Sequence, residues 1–182
     1  TSRRVAKEML RTGRAPVTKG EQMILNNYRA MQWVRTSFHE PLTSERIFHL
    51  HRIVSEDTMT TGVGTFRTSG DDFGVYSGSL KLYTPPPAEE LPERMAQLCA
   101  FANEETSAYM HPVVKAIILH FWLAYDHPFE DGNGRIGRAI SEKSLNQSLG
   151  QPSLIALADT IERKRKGYYE ALEAANKANE IT

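Results

Sequence analysis

His111-Pro-Val-Val-Lys-Ala-Ile-Ile-Leu-His-Phe-Trp-Leu-Ala-Tyr-Asp-His-Pro-Phe-Glu-Asp-Gly-Asn-Gly-Arg-Ile-Gly-Arg138 runs from a helix start through a strongly apolar stretch into a turn dense with ionisable residues. His111-Pro112 opens a helix, because proline is pre-set for the first helical position. Val113, Val114, Ile117, Ile118, Leu119, Phe121, Trp122 and Leu123 cover nearly its whole circumference, which predicts a central helix at the core of the fold. Gly132 to Gly134 punctuate a loop, helical texture resumes from Ile136 to Leu149, and Gly150-Gln151-Pro152 ends it.

The flanks are mostly helical too. Ile24, Leu25, Tyr28, Met31 and Val34 recur at helical spacing between Gly20 and Arg35. Thr43 and Ser44 are caps before Ile47, Phe48, Leu50, His51 and Val54, with Glu45 in the first turn where it complements the helix dipole. Between Gly62 and Thr84 the texture turns β-prone: Thr65-Phe66-Arg67-Thr68 and Ser79-Leu80-Lys81-Leu82-Tyr83 flank Ser69 to Gly74, which predicts a hairpin with a long tip. Pro85-Pro86-Pro87 is a stiff connector into a helix carrying Leu91, Met95, Leu98 and Phe101, and a last helix is expected from about Asp159 to Asn176. The expected fold class is all-α with one small β-hairpin over about 62–84. It forms a single domain over residues 1–182, with its core at about 85–150.

The 22 basic and 22 acidic residues balance, so no global field favours nucleic acid or an anionic membrane, and any anion site must be local. The single cysteine, Cys99, lies in an apolar periodic run and reads as a buried thiol in a reducing, cytoplasmic setting. The most apolar stretch, Val113 to Tyr125, is too short to span a bilayer. The chain opens on threonine rather than methionine, so a fragment of a longer protein is expected. Arg163-Lys-Arg-Lys166 reads as a solvated face. His49 and His51 are two apart and do not face each other on a helix, so a zinc site is not expected.

Residues 127–138 carry the chemistry. Gly132-Asn133-Gly134 at a helix start lets backbone N–H groups converge on an anion, without a Cβ to hold a phosphate away. Arg135 and Arg138 lie three apart, hence on one helix face, where guanidinium groups can fork onto phosphate oxygens. Asp131 is a hard oxygen ligand suited to Mg²⁺, which takes one or two carboxylates plus phosphate oxygens and waters. His127, with its near-neutral ordinary pKa, can take a proton from a hydroxyl attacking phosphorus. Singly, each feature is more often a turn, a solvated arginine or a structural histidine. Together, nine residues in a fixed twelve-residue frame have chance odds on the order of 10⁻¹² per start point.

The segment resembles the signature of the Fic family, His-Pro-Phe-x-Asp/Glu-Gly-Asn-Gly-Arg-x-x-Arg. The resemblance implies a mainly helical Fic fold and transfer of AMP from ATP to a Tyr, Ser or Thr hydroxyl of another protein. His127 would be the base, Asp131 would hold Mg²⁺, and Gly132, Asn133 and Gly134 would form the anion hole. Arg135 and Arg138 would bind the outer phosphates, and Phe129 would anchor the loop. His111-Pro112 looks like the family's usual approach to this loop. Tyr168-Tyr169-x-x-Leu172-x-x-x-Asn176 is similar to the adenine-contacting segment of one subgroup, which assigns Tyr169 and Asn176 there. The hairpin matches the family's flap, which docks a protein target as an added strand through Thr65, Phe66, Arg67, Leu80, Lys81 and Leu82.

One family feature is not met. Many members carry an inhibitory helix, Ser/Thr-x-x-x-Glu-Gly/Asn, whose glutamate pairs with the second arginine. Only Thr36-Ser-Phe-His-Glu40 has the spacing, and proline follows it, so the helix is expected upstream of Thr1 or in trans, and the fragment is expected to be constitutively active. Two other readings stay open: transfer of a different nucleotide or phosphate moiety, and a non-catalytic nucleotide- or partner-binding module. A homodimer is open as well.

Overall fold

A computed structural model describes residues 2–68, 74–77, 80–103, 109–152, 160–161 and 163–179. Its helices are α1 (Ser2–Thr12), α2 (Lys19–Ser37), α3 (Ser44–Ser55), α4 (Leu91–Asn103), α5 (Pro112–Asp126), α6 (Asn133–Leu149) and α7 (Arg165–Asn179). A single 3-10 turn, Ala88–Glu90, leads from the proline run into α4. Two short strands, β1 (Val75–Ser77) and β2 (Leu80–Tyr83), pair antiparallel.

Capping chemistry sets the helix starts. Thr18 and Thr43 accept from Glu21 N–H and Arg46 N–H at the heads of α2 and α3. His111 Nδ1 accepts from Val113 N–H at 3.2 Å, with Pro112 as the first helical residue of α5. The core is built where α5 and α6 cross beneath α2, α3 and α4, from fully buried Val34, Ile47, Leu50, Met95, Leu98, Leu119, Leu123 and Ile136. The α5–α6 crossing is close because residue 137 is glycine: a Cβ there would sit 3.2 Å from His120 Nδ1.

Polar ties fix the packing around this core. Asn103 closes both backbone groups of Leu42 at 2.7 Å, joining the end of α4 to the loop before α3. Lys143, buried in α6, donates from Nζ to the Phe38 and Glu40 carbonyls just beyond α2, and burial pushes its pKa down to about 8. Arg94 of α4 donates from Nε to buried Asp126 of α5 at 2.8 Å; burial pushes that carboxyl up, and Arg94 opposes the shift.

The structure corrects two expectations. The first strand of the hairpin is Val75–Ser77, not Thr65–Thr68, because Phe66 and Arg67 are drawn inward: Phe66 packs on Phe48 and Arg67 is buried. Of the predicted tip, residues 69–74, all but Gly74 lie outside the described residues, as do Gly78-Ser79. The apolar circumference of α5 is not buried all round, since Val113, Val114 and Ile117 near its start are exposed. Cys99 is buried as expected, and burial pushes its thiol up to about 11. Among the described residues, no helix is long and apolar enough to cross a membrane.

Leu119 is fully enclosed in α5. Leu119→Ala should remove about 2–5 kcal/mol of stability, read as a lower urea midpoint at unchanged slope.

Candidate active site

Residue 127 ends α5 in the left-handed region, at φ 45°, where its N–H still donates to the Leu123 carbonyl at 3.0 Å. Position 128 is proline and carries no N–H, so the Ala124 carbonyl loses its helical donor. Side chains from much earlier in the chain cap this helix end. The Tyr83 hydroxyl donates to the Ala124 carbonyl and lies 3.2 Å from the Tyr125 carbonyl oxygen. Arg67 Nε donates to the His127 carbonyl at 2.9 Å, its Nη2 reaches the Pro86 and Asp126 carbonyls, and its N–H donates to the Pro128 carbonyl at 2.9 Å.

After the turn the chain is clipped into a tight loop. Phe129 is fully buried, and its N–H donates to Asn133 Oδ1 at 3.0 Å while its carbonyl accepts from Asn133 Nδ2 at 2.7 Å. The Phe129 ring stacks on His51 at 4.0 Å with 8° between the planes, and packs near Phe48 and Phe66. Gly64 N–H donates to His51 Nδ1 at 2.9 Å, so the ring proton sits on Nε2, which donates to the Asp131 carbonyl at 3.0 Å. Gly132 then turns the chain into α6 at φ 89°, a conformation in which a side chain would be strained.

The head of α6 has no side-chain cap. The Gly132 N–H is taken by Asp131 Oδ1 at 2.6 Å, and the amides of Asn133 and Gly134 begin the helix with no intrahelical acceptor available to them. Gly134 is exposed, so this helix end faces solvent with the positive end of its dipole outward. Arg138 is half-buried beside it, with Nη1 3.5 Å from where a Cβ on Gly134 would be. The Asp131 side chain is 62% exposed, and its Oδ2 accepts from Arg135 Nη2 at 3.1 Å.

The two motif arginines therefore have different surroundings. Arg135 is buried and donates from Nη1 to the Val54 carbonyl at 2.6 Å, tying α6 to the end of α3. Arg138 stays at the site: burial raises the pKa of Tyr168 and Arg138 opposes that shift, whereas burial lowers the pKa of His120 and Arg138 adds to it. The His127 ring is half-buried with Nδ1 3.4 Å from the Ala124 carbonyl. Burial pushes its pKa below the ordinary histidine value, Ala124 and Asp131 oppose the shift and Arg67 adds to it, so the ring is neutral at physiological pH.

The structure thus gathers His127, Asp131, Gly132, Asn133, Gly134 and Arg138 around one helix end. Of the expected flap residues, Leu80, Lys81 and Leu82 form β2, with Lys81 exposed. Thr65, Phe66 and Arg67 lie outside the hairpin, and Arg67 instead caps the helix that carries His127. Tyr169 is exposed on α7 beside Arg165, whereas Tyr168 turns inward and bonds His120 Nε2 at 2.7 Å. Asn176 is on α7, and its side chain lies outside the described residues. Sequence reasoning missed His51 and Tyr83. For His51 a signal existed, since it lies on the inward stripe of Ile47, Leu50 and Val54; Tyr83 carried none.

Burial pushes His51, His120 and His127 all below the ordinary value. The unfolded chain therefore takes up protons first as pH falls through about 6.5, and the folded state loses stability from there downward. The urea midpoint should fall between about pH 7 and about pH 5, whereas a flat profile would contradict these assignments.

The sequence profile described as the Fic/DOC family matches residues 41–145. A relative named protein adenylyltransferase fic-1, from Caenorhabditis briggsae, is 32% identical over 138 residues, 76% of this chain and 25% of that one. Protein adenylyltransferase Fic from Drosophila ananassae is 31% identical over 158 residues, 86% of this chain and 29% of that one. The chain thus spans between a quarter and three tenths of the length of these relatives. Among solved structures, a Fic family protein from Desulfovibrio desulfuricans G20 aligns with a TM-score of 0.78 at 20% identity, covering 97% of this chain and 55% of that one. A fragment of Fic-1 from C. elegans aligns with a TM-score of 0.75 at 25% identity, covering 94% and 49%. With the profile covering more than half of its residues and the fold matching over nearly all of them, the chain belongs to the Fic/DOC family.

Proposed function

We propose that residues 127–138 transfer AMP from ATP to a hydroxyl of a protein, which makes the chain the catalytic part of a protein adenylyltransferase. The observation that carries the proposal is the uncapped head of α6, open beside a neutral histidine and an exposed carboxylate. The names of the relatives support the same reading.

In this reading the Asn133 and Gly134 amides receive the phosphates, as helix N-termini do. Arg138 binds the outer phosphates. Arg135, which has protein partners on Nη1 and Nη2, holds Asp131 in place. The target hydroxyl oxygen attacks the α-phosphorus, its proton passes to His127, the bond to the bridging oxygen breaks and pyrophosphate leaves. The chain contributes position and electrostatic stabilisation rather than a covalent intermediate.

Mg²⁺ fits Asp131. That carboxylate is exposed next to the helix head, and this ion is satisfied by one or two carboxylates together with phosphate oxygens and waters. Among the described residues, no group of three or more His, Cys, Asp or Glu forms a cage made of protein alone. When bound with ATP, the ion neutralises phosphate charge.

Tyr169 and Asn176 on α7 would meet the adenine, which fits the exposure of Tyr169. Among the described residues the sheet has two strands, and its edges suit a protein target that adds as a strand, with Lys81 and Tyr76 exposed there. A glutamate pairing with Arg138, contributed from outside residues 1–182 or by another chain, would regulate the site. A reducing, cytoplasmic setting fits buried Cys99.

Incubation with a protein lysate and ATP labelled at either the α- or the γ-phosphate tests the proposal. Protein-bound α-label is expected, falling by about 10²–10⁴-fold in His127→Ala. Label from the γ-position alone, or no covalent label, would contradict it.

A further inference from the structure

The Ala124 carbonyl stands at an unusual point of the chain. Proline at 128 deprives it of its helical donor, and two side-chain groups meet there instead: the Tyr83 hydroxyl, which donates to it, and His127 Nδ1, 3.4 Å away. We propose that Tyr83 is a positioning residue for the transfer: its hydroxyl fixes the Ala124 carbonyl, which holds the His127 ring with its proton on Nδ1 and leaves Nε2 to accept the proton of the target hydroxyl. This inference rests on His127 acting as the base.

Three observations support it. A carbonyl oxygen only accepts, so a ring nitrogen bonded to it must carry the proton. The ring of Tyr83 is buried and stacked on Tyr125, with centroids 5.9 Å apart and planes 10° apart, so the hydroxyl is presented by a rigid side chain. The Nδ1 to Ala124 distance is 3.4 Å, long for a hydrogen bond, so a carbonyl free to tilt toward water would release the ring. Among the described residues, Arg67 and Asp131 are the charged groups that act on His127, and Asp126 precedes it paired with Arg94. Arg67 holds the His127 carbonyl rather than its ring.

The arrangement also links the base to the hairpin. Tyr83 is the last residue of β2, and Arg67 caps the same helix end from the segment before β1. A target aligned on the hairpin would therefore be aligned on a strand bonded to the peptide that orients His127.

The test is Tyr83→Phe, which keeps the stacked ring and removes only the hydroxyl. Nitrogen-15 NMR of the histidine rings, in the chain without ATP and above the imidazole titration, reads the tautomer directly. In the unaltered chain His127 is expected to be protonated on Nδ1. Tyr83→Phe should move a substantial fraction to the Nε2-protonated form and lower kcat about tenfold, with the KM for ATP held within about twofold and the unfolding midpoint lowered only by the loss of one part-buried hydrogen bond. His127 protonated on Nε2 in the unaltered chain would overturn the proposal, as would an unchanged tautomer in Tyr83→Phe. A shifted tautomer with unchanged kcat in an active protein would overturn its catalytic part. If the unaltered chain transfers no nucleotide, the functional reading fails by itself, and the tautomer still decides whether Tyr83 orients the ring.

Discussion

Phe129 is buried with both of its peptide groups bonded to the amide of Asn133, and the candidate phosphate site at the head of α6 is built on that clip. The clip closes a loop of five residues between two packed helices. It consumes the side chain of Asn133 and leaves its backbone amide at the head of α6. The ring of Phe129, stacked on His51, fixes the depth of the loop, and the second nitrogen of His51 fixes the Asp131 carbonyl. Loosening the clip would let the helix head and the carboxylate drift separately, which the proposed in-line displacement would not tolerate.

Charge is arranged in two layers behind this loop. Arg67 and Arg135 are buried and satisfy backbone carbonyls at the ends of α5 and α3, where no helical donors remain. Their guanidinium groups support the loop from beneath. Arg138 remains beside the helix head with the exposed glycine. Arg135 and Arg138 lie sixty degrees apart on one helix, yet the packing of α3 against α6 separates them into a tie and a candidate phosphate ligand.

The helices were legible because they follow from periodicity and caps that act within a few residues. Thr43 caps α3, Pro112 starts α5 and Gly150 ends α6, as the pattern implies. The candidate site was legible as a set of residue types in a fixed frame, with His127, Asp131 and the glycines close together in the chain. The error at Thr65 to Arg67 has a physical origin. The β-prone texture is real, but Phe66 gains more by packing on Phe48 and Phe129, and Arg67 finds orphaned carbonyls sixty residues ahead. Such long-range capping leaves no local trace in the sequence. Tyr83 was hidden for the same reason, since its acceptor is Ala124.

In the proposed function the phosphates bind at the head of α6, held by the Asn133 clip. A crystal structure of the chain with Mg²⁺ and a non-hydrolysable ATP analogue tests it most directly. Phosphate oxygens are expected on the backbone amides of Asn133 and Gly134, with Arg138 on the outer phosphates and the Asn133 side-chain amide still bonded to Phe129. Phosphates bound elsewhere, or bound here only after Asn133 has left Phe129, would contradict it.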